Sequence, residues 1–166
     1  MTAQTAYKHV KNKSENFVSK LHRESLENHY NGTASHSFSQ AYDKMLDLTT
    51  NYDRRFNRHN VNAVLGYSFQ EFNGDNFSAS NSDFQVDGLG PWDLGAGTYL
   101  SDGKAGLGSY KSPTTRLIAF FGRVNYSFDD RYLMTLNLRY EGSSKFYSNR
   151  WGLFPGISAG WRISSE

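Results

Sequence analysis

A serine and a lysine stand at the spacing of an acyl-transfer pair near the middle of the chain. Ser101 and Lys104 match the S-x-x-K pattern of acyl-serine enzymes. The companion motifs S-D-N and K-T-G are missing, and the pair lies in a glycine-rich stretch instead of opening a helix. The nearby glycines complete no phosphate-binding loop, because Ala105 follows Lys104 where a P-loop requires Ser or Thr. We therefore expect turns here, no catalytic residue and no enzyme.

Histidines and carboxylates are the remaining candidates for metal binding or acid–base chemistry. The five histidines show no metal-ligand spacing, and we expect solvated loop positions for His9, His22, His29, His36 and His59. The pair Asp129 and Asp130 is interpreted as a tight turn. Without cysteine there is no disulfide, iron–sulfur site or thiol nucleophile. The sequence predicts no resident metal and no cofactor.

One metal alternative stays open in the central loop. Its carboxylates have no EF-hand spacing, but hard cations also take oxygen ligands from flexible loops. The acids concerned are Asp75, Asp83, Asp87, Asp93 and Asp102. They leave a loop calcium ion as a hypothesis.

Composition excludes further classes of protein. The 166 residues carry 18 Lys and Arg against 16 Asp and Glu, which leaves no basic surface for nucleic acid. The longest apolar run covers only residues 117–121, whereas a membrane helix needs about 20 residues. The first residues lack the apolar stretch of a signal peptide, so we expect no export signal here. The 15 Gly, 11 Tyr and 12 Phe favour β structure with many turns.

The first sharp β pattern predicts a hairpin over residues 42–72. Residues 1–41 are polar and weakly patterned, and both loop and strand stay open there. Period-two alternation then begins, with a polar turn at residues 55–59. The more apolar faces of the two strands carry Leu46, Leu48, Thr50 and Tyr52, and then Val61, Ala63, Leu65, Tyr67 and Phe69.

Three further strands are predicted after a long loop. Residues 73–115 are rich in Gly, Ser and Asp and show no period, which predicts a loop. Alternation resumes over residues 116–128, 131–141 and 151–163, with a loop at 142–150. The apolar faces carry Ile118, Phe120, Val124, Tyr126 and Phe128, then Tyr132, Met134, Leu136, Leu138 and Tyr140, then Leu153, Pro155, Ile157, Ala159 and Trp161.

Three features favour a membrane environment for these strands. Each strand has about the 10 residues that a tilted strand needs to cross a bilayer. Very short and long connections alternate, as in outer-membrane barrels with short periplasmic turns. Aromatic side chains gather at the short-turn end, where they predict a membrane girdle: Tyr52, Tyr126, Phe128, Tyr132 and Trp161. Arg123 and Arg139 fall on the opposite, lumen-facing side.

The resulting fold class is all-β, an antiparallel transmembrane β-barrel segment. Because five strands are too few to close a barrel, we expect an incomplete part of a larger one. The alternative is a soluble β-sandwich that binds carbohydrate, in which Leu136, Leu138 and Ile157 would face a protein core. A small porin-like channel would need more strands than the sequence provides.

Long stretches of the chain resemble the SusC/RagA-type family of TonB-linked outer-membrane transporters. The similarity is carried by LIAFFGRVNYSFDDRYLMT from Leu117, LRYEGSSKF from Leu138 and WGLFPGISAGWRI from Trp151. Shorter similar segments are NYDRRF from Asn51, HNVN from His59, NFSASNSD from Asn76 and LGAGTYL from Leu94. The resemblance covers residues 42–166, which are identified as a partial TonB-dependent receptor barrel.

The resemblance implies a barrel of roughly 22 strands with a plug in its lumen. It implies import of oligosaccharides or peptides across the cell outer membrane, with outer-membrane lipid, a SusD-like lipoprotein and TonB as partners. The residues here would supply barrel wall and an extracellular loop. Loop aromatics are the candidates for substrate contact, although they also suit packing of the loop on itself: Phe84, Trp92, Tyr99 and Tyr110. Arg123 and Arg139 suit either an anionic substrate or ion pairs with the wall or plug.

Overall fold

A computed structural model describes residues 1–89 and 92–163 of the chain. In this described part of the chain, the strands and one α-helix are β1 (Thr2–Val18), α1 (Arg23–Glu27), β2 (Thr33–Phe56), β3 (His59–Ser82), β4 (Gly106–Lys111), β5 (Thr115–Phe128), β6 (Tyr132–Ser143) and β7 (Trp151–Trp161). Within these residues the seven strands form one sheet in the order β1-β2-β3-β5-β6-β7, and β4 pairs with β3. The pairings β3–β4, β3–β5, β5–β6 and β6–β7 are antiparallel. The predicted all-β antiparallel fold is confirmed.

The α-helical content is small. Helix α1 has five residues, and no helix among the described residues is long and apolar enough to cross a membrane. Two 3-10 turns, Leu94–Ala96 and Thr98–Leu100, lie between β3 and β4.

Two tight turns connect the long strands. Residues 57–58 join β2 to β3, and residues 129–131 join β5 to β6. Asn57, Asp129 and Asp130 have φ angles of 52°, 54° and 53°, in the left-handed region that Asn and Asp tolerate better than other side chains. Left-handed turn residues match the twist of paired strands. These residue types therefore explain why both connections are so short.

The chain divides into two compact units, of which the first holds the most regular part of the sheet. It comprises Met1–Lys8, Asp43–Phe72 and the described residues of Thr114–Glu166. The strand register aligns the predicted apolar positions of four strands in six rows, which also contain His59, Gly122, Gly142 and Trp151. From the short turns onward these rows are His59–Phe128–Tyr132–Trp161, Val61–Tyr126–Met134–Ala159, Ala63–Val124–Leu136–Ile157, Leu65–Gly122–Leu138–Pro155, Tyr67–Phe120–Tyr140–Leu153 and Phe69–Ile118–Gly142–Trp151. We call this surface the apolar face.

Side-chain hydrogen bonds between β2 and β3 show which residues of β2 lie on the apolar face. Asn62 donates from Nδ2 to Asp53 Oδ2 at 3.0 Å, and Gln70 donates from Nε2 to Asp43 Oδ1 at 3.1 Å. Odd positions of β2 therefore share a face with even positions of β3. Because side chains alternate along a strand, the even positions of β2 lie on the apolar face, which includes Tyr52.

The second unit comprises His9–Tyr42 and Asn73–Pro113. In it β4 pairs with β3 from Asp75 opposite Lys111 to Ser80 opposite Gly106. The pairing ends where Ser112 donates its N–H to Gly74 O at 2.8 Å and accepts the Gly74 N–H at Oγ at 2.9 Å. Pro113 follows, and because it has no N–H it cannot donate to the ladder.

The strands extend beyond several predicted bounds. The segment 1–41 contains β1 and the start of β2, and the predicted loop 73–115 contains the end of β3 and all of β4. Both faces of these outer strand parts are polar, so they pair through the backbone without a period-two hydropathy contrast. The three last strands begin and end within two residues of the prediction. Gly90 and Pro91 of the predicted loop, and residues 164–166 of the predicted barrel segment, lie outside the described residues.

Candidate functional site

The apolar face is exposed in this chain instead of being packed against protein. Leu136, Leu138 and Ile157 are 43%, 51% and 72% exposed. The sandwich alternative requires these three side chains in a core, so their exposure counts against it. Among the described residues, the buried apolar side chains are only Ala34, Phe84 and Ala119. An apolar surface of this extent marks contact with a membrane or another protein.

Aromatic rings close the apolar face at its short-turn end. Phe128 lies 6.4 Å from Tyr132, whose ring stacks on that of Trp161 at 6.3 Å, measured between centroids. His59 packs at 4.9 Å from Phe128, and its Nδ1 lies 2.7 Å from the Tyr126 hydroxyl. The structure thus brings together Tyr126, Phe128, Tyr132 and Trp161 of the predicted girdle. Tyr52 is exposed on the adjoining strand β2.

His59 is a functional candidate that the sequence analysis treated as a solvated loop residue. It pairs with Phe128 as the first residue of β3 and shares the face of Val61 and Ala63. The period-two alternation of Val61 and Ala63, continued by one step toward the turn, predicts His59 on the same face. Its imidazole adds a polar, amphipathic ring at the level of the aromatic girdle.

Charged side chains surround the two short turns. Arg58 forms an ion pair with Asp129, and its guanidinium lies 5.4 Å from the Phe128 ring centroid. This contact holds the pKa of the Asp129 carboxyl below its ordinary value and raises the pKa of Arg58. Arg55 pairs with Asp130 at 3.3 Å. These pairs link the turn between β2 and β3 to the turn between β5 and β6.

An ion-pair triad and a second set of rings mark the opposite end of the apolar face. Glu71 contacts Lys44 at 3.5 Å and Arg116 at 2.7 Å, across three neighbouring strands. Just inside this triad, Tyr67 packs on Phe120 at 5.3 Å and Tyr140 on Trp151 at 4.8 Å. This second boundary was not predicted from the sequence. The sequence feature that marks it is the first charged residue that follows the apolar positions on the same face, which is Glu71 in β3 and Arg116 in β5.

The distance between the two boundaries matches a membrane. No charged side chain stands in the six rows, apart from the titratable His59 in the first. The ten residue steps from Ile118 to Phe128 correspond to about 34 Å of strand, at about 3.4 Å per residue. At a tilt of about 40° this length spans about 25 Å, the height of the apolar band of outer-membrane barrels.

The opposite face of the same strands is polar and carries the two predicted lumen-facing arginines. Arg123 donates from Nε to Asn137 Oδ1 at 2.7 Å, and Arg139 pairs with Glu141. Both border a groove of about 360 Å³ that Phe121 and Phe154 also line. Guanidinium groups with remaining N–H donors beside aromatic rings suit carboxylates, carbonyls or aromatic groups.

In the second unit, a cluster of hydrogen bonds fastens the long loop; we call it the loop clasp. The Asp83 carboxylate accepts from Asn31 N at 3.1 Å, Asn31 Nδ2 at 2.7 Å and Thr98 Oγ1 at 2.6 Å. These donors hold the pKa of the Asp83 carboxyl below its ordinary value. Asn81, which is buried, donates from Nδ2 to Leu94 O at 2.6 Å and Gly97 O at 2.8 Å. The loop is therefore held at defined points.

The loop aromatics divide into one buried and three accessible side chains. Phe84 is 1% exposed and forms a β-bridge with Gly97, so it packs the loop and is not available to a ligand. Of the two roles left open for Phe84, its burial favours packing of the loop on itself. Trp92 is 81% exposed, and Tyr110 is also exposed on β4. Tyr99 is half-buried, with Lys104 Nζ 5.2 Å from its ring centroid.

Removing the buried amide of the clasp will loosen the loop. We expect Asn81→Ala to lose two hydrogen bonds and leave the Leu94 and Gly97 carbonyls without this donor, at a cost of about 1–3 kcal/mol. Hydrogen exchange of residues 92–105 in the intact protein should rise while β5–β7 stay protected. Asn12→Ala, at an exposed position of β1, is the matched control. Unchanged exchange in Asn81→Ala would contradict the clasp.

Comparisons with known proteins identify the family to which this chain belongs. The family described as "TonB dependent receptor-like, beta-barrel" matches residues 2–166. The chain is 31% identical over 146 residues to TonB-dependent receptor SusC of Bacteroides thetaiotaomicron, covering 86% of this chain and 13% of SusC. It is 31% identical over 131 residues to TonB-dependent receptor P39 of Formosa agariphila, covering 75% of this chain and 12% of P39. The chain thus spans about an eighth of the length of these relatives.

A solved structure supports the same fold. The RagAB peptide importer in its closed-closed state superposes with a TM-score of 0.84 at 21% identity, over 99% of this chain and 18% of that chain. TonB-dependent receptors are outer-membrane proteins and not enzymes. The exposed apolar face and the match over nearly the whole chain therefore have one explanation. The chain belongs to the TonB-dependent receptor-like β-barrel family of the outer membrane.

Proposed function

We propose that this chain is a wall segment, with one large outer loop, of a TonB-dependent transporter that imports oligosaccharides or peptides. The observation that carries the proposal is the apolar face. Its six rows are bounded by rings at one end and by rings with the Lys44–Glu71–Arg116 triad at the other. A surface of this kind suits the lipid-facing side of a barrel wall, and the polar face behind it then lines a lumen.

The polar face and the loop would contact substrate at different points along the import path. Arg123 and Arg139, beside the rings of Phe121 and Phe154, would contact either an anionic substrate or a plug in the lumen. Trp92, Tyr99 and Tyr110 would contact substrate or partner at the outer end, because exposed rings on an aqueous loop have no lipid to face. Aromatic rings stack on sugars as well as on peptide side chains, so both substrate classes remain compatible.

The proposed partners follow from the relatives. SusC and P39 are named TonB-dependent receptors, so we propose TonB as the energy source. The solved relatives are structures of the RagAB peptide importer. We propose a SusD-like lipoprotein as the external partner and the loop clasp as the element that holds the loop toward it. The transport reaction requires no chemistry from the residues described here.

Growth on polymeric nutrients tests import. We expect deletion of the gene for the intact protein to abolish growth on either starch-derived oligosaccharides or casein-derived peptides, but not on glucose or free amino acids. Complementation with the Trp92→Ala variant should restore growth. Its affinity for substrate should be about 2- to 10-fold lower, because one aromatic contact contributes about 0.5–1.5 kcal/mol.

The control is Tyr147→Ala, which removes an exposed ring from the loop between β6 and β7. It should complement like the wild type. Normal growth of the deletion strain on both substrate classes would contradict the proposed import function. Normal affinity in Trp92→Ala would contradict only the role of this ring.

A further inference from the structure

The short-turn end of the apolar face carries two arginines among its rings. Arg54 occupies an even position of β2, which places it on the apolar face, and its guanidinium lies 4.8 Å from the centroid of the Phe56 ring. Arg58 lies over Phe128 on the same side. Asp129 and Asp130 pair with Arg58 and Arg55, and Asp53 points to the opposite face through its contact with Asn62. Among the described residues, no carboxylate forms an ion pair with Arg54.

The apolar face also has a groove at mid-depth. Gly122 stands in the fourth row where the other strands carry Leu65, Leu138 and Pro155. The missing side chain leaves an apolar groove of about 550 Å³, lined also by Val124 and Ile157. A Cβ added at Gly122 would lie 3.1 Å from Leu65 Cδ2, so Leu65 would have to shift by a few tenths of an ångström to admit a side chain beside the groove.

The groove and the arginines are separated by the depth of one lipid leaflet. Six residue steps lie between Gly122 and Phe128, about 20 Å of strand at about 3.4 Å per residue. At a tilt of about 40° this is about 15 Å of depth, half of a hydrocarbon core of about 30 Å. A lipid whose phosphate lies beside Arg54 and Arg58 would therefore have the end of its acyl chain at Gly122.

We propose that this surface binds one anionic phospholipid, with the headgroup at Arg54 and Arg58 and an acyl chain in the Gly122 groove. Charge selects the headgroup, because Arg54 has no acidic partner within residues 1–89 and 92–163 and Arg58 keeps donors beyond those used for Asp129. Shape selects the chain, because the groove is lined mainly by aliphatic side chains, with Asn137 as the polar exception, and lies one leaflet deep. The inference rests on the lipid-facing assignment of the apolar face.

Photo-cross-linking in the intact protein tests the proposal. The probe is phosphatidylglycerol with a diazirine at the end of one acyl chain, and the readout is labelling of the β5 and β6 peptides around Gly122 and Leu138. We expect unlabelled phosphatidylglycerol to compete about five-fold better per arginine than phosphatidylcholine with the same chains, from about 1 kcal/mol per basic residue near anionic lipid. Inorganic phosphate should not compete, and competition by it would contradict a lipid site.

Two variants separate headgroup from chain. Arg54→Gln should lower the preference for phosphatidylglycerol about five-fold without removing labelling. Gly122→Leu should reduce labelling several-fold with both lipids, because the side chain fills the groove. The control is Arg150→Gln, which removes the same charge just before β7, at the end of the sheet far from the short turns. It should change neither the lipid preference nor the extent of labelling. Equal competition by the two lipids in the wild type, or an unchanged preference in Arg54→Gln, would overturn the proposal.

A spin label distinguishes failure of this inference from failure of the proposed function. A label at Leu138 of the intact protein should be accessible to oxygen, and a label at Arg139 should be accessible to a water-soluble paramagnetic reagent. If Leu138 is buried in protein, both the wall assignment and the lipid site fail. If Leu138 is accessible but lipid preference is absent, only the lipid site fails.

Discussion

An arginine introduced at Ile157 should prevent stable assembly of the intact protein in the outer membrane. Ile157 lies in the third of the six rows and is 72% exposed on the apolar face. An arginine on the lipid side near mid-depth costs about 2–4 kcal/mol. This corresponds to about a 30- to 1,000-fold loss in the folded-to-unfolded ratio. Guanidinium unfolding from lipid vesicles measures the effect.

The next residue along β7 provides the control. Ser158 stands in the polar row with Thr135 and Asn125, on the opposite face at the same depth. Ser158→Arg should fold with wild-type stability, because its guanidinium remains on the aqueous side. If Ile157→Arg and Ser158→Arg unfold at the same denaturant concentration, the two faces of the sheet do not meet different solvents. That outcome would contradict the register described here.

The 166-residue chain expressed by itself should aggregate without detergent. Leu65, Leu136, Leu138, Leu153 and Ile157 form part of one exposed apolar surface. Soluble monomers rarely expose contiguous apolar patches beyond a few hundred Å², and larger ones self-associate. We expect inclusion bodies on expression and high-molecular-weight material after dilution from urea. Dilution into detergent micelles should keep the chain dispersed, because micelles cover the apolar face.

Sedimentation velocity with and without detergent measures this difference. A charge-reversal control on the polar face, Arg123→Glu, should aggregate equally, because the apolar face is unchanged. A folded, stable monomer in plain buffer would contradict the membrane assignment. It would instead favour a soluble sheet protein.

The membrane-crossing parts of the fold were predictable from the sequence because solvent differs on their two faces. Alternation of Met134, Leu136 and Leu138 with polar residues at 135, 137 and 139 reflects lipid on one side and water on the other. The same contrast fixes the register, since a shift of one residue would turn Arg139 toward lipid. The turn at Asp129 and Asp130 was predictable because these residues tolerate left-handed φ angles.

The outer strand parts and the loop clasp were not predictable in this way. The end of β3, from Phe77 to Ser82, and β4 show no period-two contrast in hydropathy, so alternation gives no signal there. The clasp joins Asn31 to Asp83 across 52 residues of sequence, and nothing local to either residue indicates the other. The burial of Phe84 was not predictable for the same reason, because only the folded loop shows which of its two open roles the ring takes.

The ion pair between Arg58 and Asp129 joins two hairpins and not two strands of one hairpin. The main chain repeats this link, since Asp129 donates its N–H to Arg58 O at 2.7 Å. Both contacts therefore tie the turn of one hairpin to the turn of its neighbour. These contacts would favour one register between the neighbouring hairpins, because only one offset brings both turns to the same height. The turns would thus help to place each new pair of strands as the wall grows.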